Sequence, residues 1–211
     1  MKHLICDFDG TIADSFDETL AVFNLITKRP QPLSPAEIAH LRTLSMPHVL
    51  RALGLKPWQV PILLLRGRRH MTARMGAVKP FPGLAEAFDQ LVSDGYQLHI
   101  LSTNSAANIH SFLSAHTLGR YFQTVTGKIG LNKSRALRNL LRQLPANPAD
   151  CLYIGDETRD IDAAHAVHIP VLAVAWGFNA PSALESHHPF AIVQTPADLP
   201  AITKKALSEQ S

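Results

Sequence analysis

The chain has 211 residues, of which 46% are hydrophobic and 18% charged, and its formal net charge is +3. This composition excludes a disordered chain, and the length admits one large domain or a core carrying a smaller insertion. The charge balance makes no demand for nucleic acid, and no apolar run approaches the ~20 residues of a spanning helix, so neither a nucleic-acid nor a membrane partner is expected. Met1-Lys2-His3 runs straight into a strand pattern without a secretory leader. Cys6 and Cys151 fall in apolar strand-like runs and read as buried free thiols, which suits a cytoplasmic location.

Leu4-Ile5-Cys6 predicts a strand buried on both faces, ending in Asp7-Phe8-Asp9-Gly10-Thr11. Phe16, Leu20, Phe23 and Ile26 then recur at helical spacing up to Arg29-Pro30. Ser34-Pro35-Ala36-Glu37 is a capping-box start, followed by Ile38, Leu41 and Leu44. A short helix is expected over Val49 to Leu55, and a longer one over Pro57 to Met75 with Val60, Leu63, Leu64 and His70-Met71 on its apolar side. Residues 14–79 therefore read as a strand-free helical insertion, closed by the stiff linker Lys79-Pro80-Phe81-Pro82-Gly83. Alternating elements follow. A helix on Leu84, Phe88, Leu91 and Val92 precedes a strand over Tyr96 to Leu101. A helix on Ile109, Phe112 and Leu113 leads to a strand over Phe122 to Val125. Lys133 to Leu144 is helical, and Cys151 to Ile154 is a strand. Ile161, Ala164 and His168 line a helix before the strand Val171 to Ala175. A sixth strand over Phe190 to Val193 and a helix over Ala197 to Leu207 close the chain. This alternation implies parallel crossovers and an α/β three-layer core over residues 1–13 and 80–211, with the all-helical cap of residues 14–79 inserted after the first strand.

Chemistry gathers at the strand ends, where open α/β sheets place their sites. Asp7 and Asp9 crowd two carboxylates at one edge, and without a cation each opposes the other's ionisation. Ser102-Thr103-Asn104 presents a hydroxyl and backbone N–H groups where a helix begins, an arrangement able to hold an anion. Gly155-Asp156 ends a strand, and Asp160 lies four residues on, on the same helix face. Lys133 opens a helix, and Lys128 competes with it for one role. Hard carboxylate oxygens suit Mg²⁺, and acids with a hydroxyl and a lysine suit phosphoryl transfer. From Asp17 to Lys79 ten Lys/Arg face three Asp/Glu, densest at Arg66, Arg68, Arg69 and Arg74. That excess is either a solvated face or a positive ceiling for an anionic substrate.

The run D-F-D-G-T, the apolar approach to S-T-N, a lysine opening a helix, and G-D-x-x-x-D resemble, in order, the four motifs of the haloacid dehalogenase superfamily. The helical insertion resembles its small cap, and Ala175-Trp176-Gly177-Phe178 resembles the phosphoglycolate-phosphatase-like branch. Lys133 lacks the following proline common in that family. The resemblance implies a Mg²⁺-dependent phosphatase acting on a small phosphorylated metabolite through an aspartyl-phosphate. Asp7 would be nucleophile, Asp9 acid and base, and Lys133 the neutralising cation. Asp7, Asp9 (through its backbone carbonyl), Asp156 and Asp160 would hold Mg²⁺, and Thr11, Ser102, Thr103 and Asn104 the substrate. A phosphomutase on the same core and a non-catalytic binding protein are the alternatives. A monomer or homodimer is expected.

Overall fold

The computed structural model describes residues 1–27, 31–130 and 132–209. The expected helix stop at Arg29-Pro30 lies outside the described residues. In chain order the elements are β1 (His3–Cys6), β2 (Ala13–Asp14), α1 (Phe16–Thr27), α2 (Pro35–Arg42), α3 (Met46–Ala52), α4 (Val60–Arg74), β3 (Lys79–Pro80), α5 (Leu84–Ser93), β4 (Gln97–Leu101) and α6 (Ala106–Ala115). There follow β5 (Phe122–Thr126), α7 (Lys133–Leu141), β6 (Cys151–Gly155), α8 (Thr158–His165), β7 (Val171–Val174), α9 (Pro181–Glu185), β8 (Ala191–Val193) and α10 (Leu199–Ser208).

Six strands form one sheet in the order β5-β4-β1-β6-β7-β8, and every pairing in it is parallel. Parallel strands are covered on both faces, which is why β1, β6 and β7 read as continuous apolar runs rather than alternating ones. Leu4, Cys6, Leu98, Ile100, Leu152 and Ile154 face one core, built with Phe88 and Leu91 of α5 and Ile109 and Phe112 of α6. Ile5, Cys151, Tyr153 and Val171 face the other, built with Leu137 of α7, Ile161 of α8 and Leu184 of α9. The result is the three-layer α/β core that the alternation predicts. β4 and β5 lie on one side of β1 and β6 to β8 on the other, so β4-β1-β6 is the topological switch point, the edge beyond which open α/β sheets bind ligands. Both cysteines are buried and free. Among the described residues no helix is long and apolar enough to cross a membrane.

Helices α1 to α4 lie between β2 and β3, and the Ser34 capping box is present, with the Glu37 N–H donating to Ser34 Oγ at 3.2 Å and the Ser34 N–H to Glu37 Oε2 at 2.8 Å. The insertion is not strand-free at its ends. Ala13–Asp14 pairs antiparallel with Lys79–Pro80, because the outgoing and returning chains run side by side where they enter and leave the core. Four local expectations also shift. The third helix occupies Met46–Ala52 rather than Val49 to Leu55. Val92 is exposed on α5, and His70 is exposed on α4 beside buried Met71. His168 lies beyond α8 in the left-handed region (φ 58°), which ends the helix before it.

Candidate active site

Two of the acids stand where a strand runs out. Asp7 follows β1 and its N–H donates to the carbonyl of Ile154 within β6 at 2.9 Å, which carries the parallel ladder one residue past the end of β1. Asp156 directly follows β6, but its N–H turns to the Asp160 carboxylate instead of continuing the ladder. Asp160 sits at the third position of α8, where its Oδ2 accepts the N–H groups of Asp156 (3.1 Å) and Glu157 (3.0 Å). Two orphan donors of the helix start are thereby satisfied, and Oδ1 is left for Lys133. Gly10 turns the chain at φ 79°, and a Cβ there would overlap the Asp156 carboxylate, so only glycine lets the first loop approach the acid after β6 this closely.

Asp7, Asp156 and Asp160 each offer an oxygen within 4.8 Å of the others, and all three side chains are buried. Lys133 opens α7, capped by the Asn132 side chain, and its ammonium donates to Asp7 Oδ2 at 2.6 Å and to Asp160 Oδ1. Lys128 is exposed and spends its N–H on the Asn104 carbonyl, so Lys133 is the lysine that reaches the acids. The Asp9 side chain is not part of the three-acid cluster. Ser15 Oγ donates to it at 2.9 Å, and Asn104 Nδ2 donates to its two oxygens at 3.0 and 3.2 Å.

The remaining expected residues are placed around these. Thr11 Oγ1 donates to Asp156 Oδ1 at 2.6 Å, so it braces an acid. Ser102 is buried and its Oγ accepts the Asn104 N–H at 3.1 Å, which orients the hydroxyl. The Thr103 N–H has no acceptor among the described residues. Three contributors were not singled out in the sequence. Ser15 lies six residues after Asp9 at the start of α1. Arg159 pairs with buried Glu157 inside the G-D-x-x-x-D run. Asn179 follows the Trp176-Gly177-Phe178 segment and receives the Thr158 N–H on Oδ1 at 3.0 Å. Arg159 fills an unspecified position of the G-D-x-x-x-D run, so the spacing did not mark it, and nothing local marks Ser15 or Asn179.

Electrostatically the site is short of positive charge. Five carboxylates (Asp7, Asp9, Asp156, Glu157, Asp160) share Lys133 and Arg159 as cations. Burial first, and then the neighbouring acids Glu157, Asp160 and Asp7, push the Asp156 carboxyl well above its ordinary range. Burial raises Asp160 to about 6 although the Lys133 charge opposes it. Asp9 is likewise raised to about 6 by burial and the Asp7 charge, against the hydrogen bonds from Ser15 and Asn104. Burial alone would lower the Lys133 ammonium, but Asp160 and Asp7 more than offset it and leave it raised. Buried oxygen donors with this deficit suit a hard divalent cation. On this chemistry the donor set fits Mg²⁺.

The family of haloacid dehalogenase-like hydrolases matches residues 4–174. The chain is similar to a phosphoglycolate phosphatase of Synechococcus elongatus, 39% identical over 204 residues that cover 94% of this chain and 95% of that protein. It is also similar to pyrophosphatase PpaX of Oceanobacillus iheyensis, 23% identical over 211 residues that cover 94% of this chain and 95% of that protein. A solved haloacid dehalogenase-like family hydrolase of Streptococcus pneumoniae has a TM-score of 0.77 at 20% identity, covering 96% of this chain and 98% of that one.

Proposed function

The chain belongs to the haloacid dehalogenase-like hydrolase family and is a phosphoric monoester hydrolase, and from that premise we propose that it cleaves phosphoglycolate or a close small-molecule analogue with Asp7 as nucleophile. The observation that carries this reading is Lys133 held between Asp7 and Asp160 in a buried three-acid cluster. Substrate choice follows the 39% identical relative. Residues 14–79 act as a cap over the cleft, and the buried free thiols suit a cytoplasmic setting.

Asp7 Oδ attacks phosphorus and the P–O ester bond breaks, leaving the phosphoryl group on Asp7. Asp9 gives its proton to the departing alkoxide. A carboxyl raised to about 6 carries that proton far more often than an ordinary aspartate would. Asp9 then takes a proton from water, the water oxygen bonds to phosphorus, and the bond to Asp7 breaks to free inorganic phosphate. Ser102 Oγ and the Thr103 N–H hold phosphoryl oxygens, while Asn104 and Ser15 keep Asp9 aimed. Lys133 neutralises Asp7 and the incoming phosphate. Mg²⁺, held by Asp7, Asp156 and Asp160 with the Asp9 carbonyl, would supply Lewis-acid neutralisation of the phosphoryl oxygens.

Phosphate release from phosphoglycolate tests this, with Asp7→Asn as the blank. Turnover should vanish in Asp7→Asn and on chelation of divalent ions, and return on adding Mg²⁺. Parent-like turnover by Asp7→Asn would remove the nucleophile assignment.

A further inference from the structure

The segment Gly177–Ala180, just after β7, touches the proposed metal site on one side and the end of cap helix α2 on the other. Toward the site, the Phe178 N–H donates to Asp156 Oδ2 at 2.7 Å and the Asn179 N–H to the Asp156 carbonyl at 3.3 Å. Asn179 Oδ1 accepts the Thr158 N–H, at the start of α8. Gly177 packs so closely that a Cβ there would overlap the Asp156 side chain. Toward the cap, Asn179 Nδ2 donates to the carbonyls of Arg42 and Leu44, each at 3.0 Å, and the Ala180 N–H donates to the Arg42 carbonyl at 2.8 Å. The Arg42 guanidinium answers with bonds to the carbonyls of Gly177 (2.7 Å) and Phe178 (3.1 Å). It also lies 5.2 Å over the Phe16 ring, whose edge meets Phe178.

The Arg42 carbonyl is one of the acceptors that the end of α2 leaves without an intrahelical donor, and the Leu44 carbonyl lies just beyond that end. Here the core supplies the donors. Asn179 is buried, and its amide uses its oxygen on the metal-side loop and its nitrogen on the cap. One planar group therefore fixes the distance between the two.

We propose that Asn179 is a positioning residue that, with Arg42, couples seating of the cap to the orientation of Asp156, so that cation binding and cap docking are one linked equilibrium. This rests on the reading of Asp156 as a metal ligand. When the cap lifts, the Gly177–Ala180 segment loses its outer bonds, and the Phe178 N–H that aims Asp156 Oδ2 is no longer held. Cation affinity then falls. By reciprocity, a bound cation draws the cap down by the same factor.

The test is Mg²⁺ binding by calorimetry to the full chain and its variants, together with hydrogen exchange of residues 40–46 and of the Ala180 amide. Arg42→Ala and Asn179→Ala should each raise the Mg²⁺ Kd by about tenfold, with Arg42→Lys recovering part of the loss. Mg²⁺ should slow exchange at Ala180 in the parent protein and fail to do so in Arg42→Ala. Removing a positive charge near an acidic site would by Coulomb's law tighten cation binding, so weakening in Arg42→Ala has the opposite sign to a plain charge effect. Asp156→Asn separates the two readings. If it binds Mg²⁺ like the parent, the metal assignment fails. If it loses Mg²⁺ while Arg42→Ala keeps the parental Kd, the coupling is overturned and the metal site stands. Should Asn179→Ala not fold, Arg42→Ala decides the matter alone.

Discussion

Lys133 is buried between Asp7 and Asp160, and its removal would leave two carboxylates facing each other with no cation between them. Breaking such a buried pair from one side costs about 3 to 5 kcal/mol. Lys133→Met should lower folding stability by about that amount in urea titrations, and reduce phosphate release at least about a hundredfold. Parent-like activity would return the neutralising role to another group. Sequence left Lys133 and Lys128 as rivals, because both lie near the start of one helix. What separates them is three-dimensional: Lys128 takes a left-handed backbone (φ 55°) at the surface, whereas Lys133 points inward from the first turn of α7. The acids were legible since Asp7 and Asp9 share one short run, and Asp160 follows Asp156 by four residues from the end of β6 into the start of α8. Asn104 reaching Asp9 across 95 residues was not, as no local pattern encodes that contact.

At the scale of elements, the sheet carries a polar pair that strand patterning did not disclose. His3 Nδ1 and His99 Nε2 are 3.0 Å apart across β1 and β4, and His99 Nδ1 lies 2.9 Å from Thr124 Oγ1 of β5. Both rings are buried. Burial lowers His3, and burial followed by the His3 charge lowers His99 to about 4. A histidine whose folded pKa lies below its unfolded value of ~6.5 takes up a proton on unfolding. Its contribution to stability is whole above that value and is lost as pH falls toward about 4. The raised site carboxylates act with the opposite sign over much of the same window. The pair is therefore isolated by the difference between the parent and His99→Phe. As pH drops from ~6.5 to ~4, the parent should lose on the order of 3 kcal/mol relative to that variant in unfolding titrations. Parallel pH profiles would show that the pair does not titrate on unfolding. Strands and helices themselves were readable from apolar runs and spacing. The β2–β3 pair was not, because two residues on each side, one of them Pro80, carry no period.

For the whole molecule, the contacts by which helices α1 to α4 meet the core were not disclosed by the sequence. Among the arginines crowded on α4, Arg66 and Arg69 are exposed, while Arg68 donates to the Thr103 carbonyl at 2.7 Å and the Ile129 carbonyl at 3.3 Å. Thr72 Oγ1 donates to Asn108 Oδ1, and Asn108 Nδ2 to Asn104 Oδ1, so this contact continues toward Asp9. Arg68 thus seats α4 on the loop after β4, as Arg42 seats α2 on the loop beside Asp156. Arg68→Ala should lower kcat/KM by about tenfold, the lower range of coupling effects, and by more than Arg66→Ala or Arg69→Ala. Equal effects from all three would favour a diffuse positive field over a specific grip. Which arginine of a cluster turns inward depends on helix phase and on the partner surface, and composition reports neither.

The chain has two tryptophans, and they occupy different surroundings. Trp58 stands 65% exposed between α3 and α4, whereas Trp176 donates its indole N–H to the Thr11 carbonyl at 3.2 Å and packs against Phe81. Trp176 therefore bridges the first loop and the strap that returns from the helical insertion. In Trp58→Phe protein the emission colour and quenching of the remaining indole would act as a built-in optical gauge of that neck, readable in stopped-flow mixing without any attached dye.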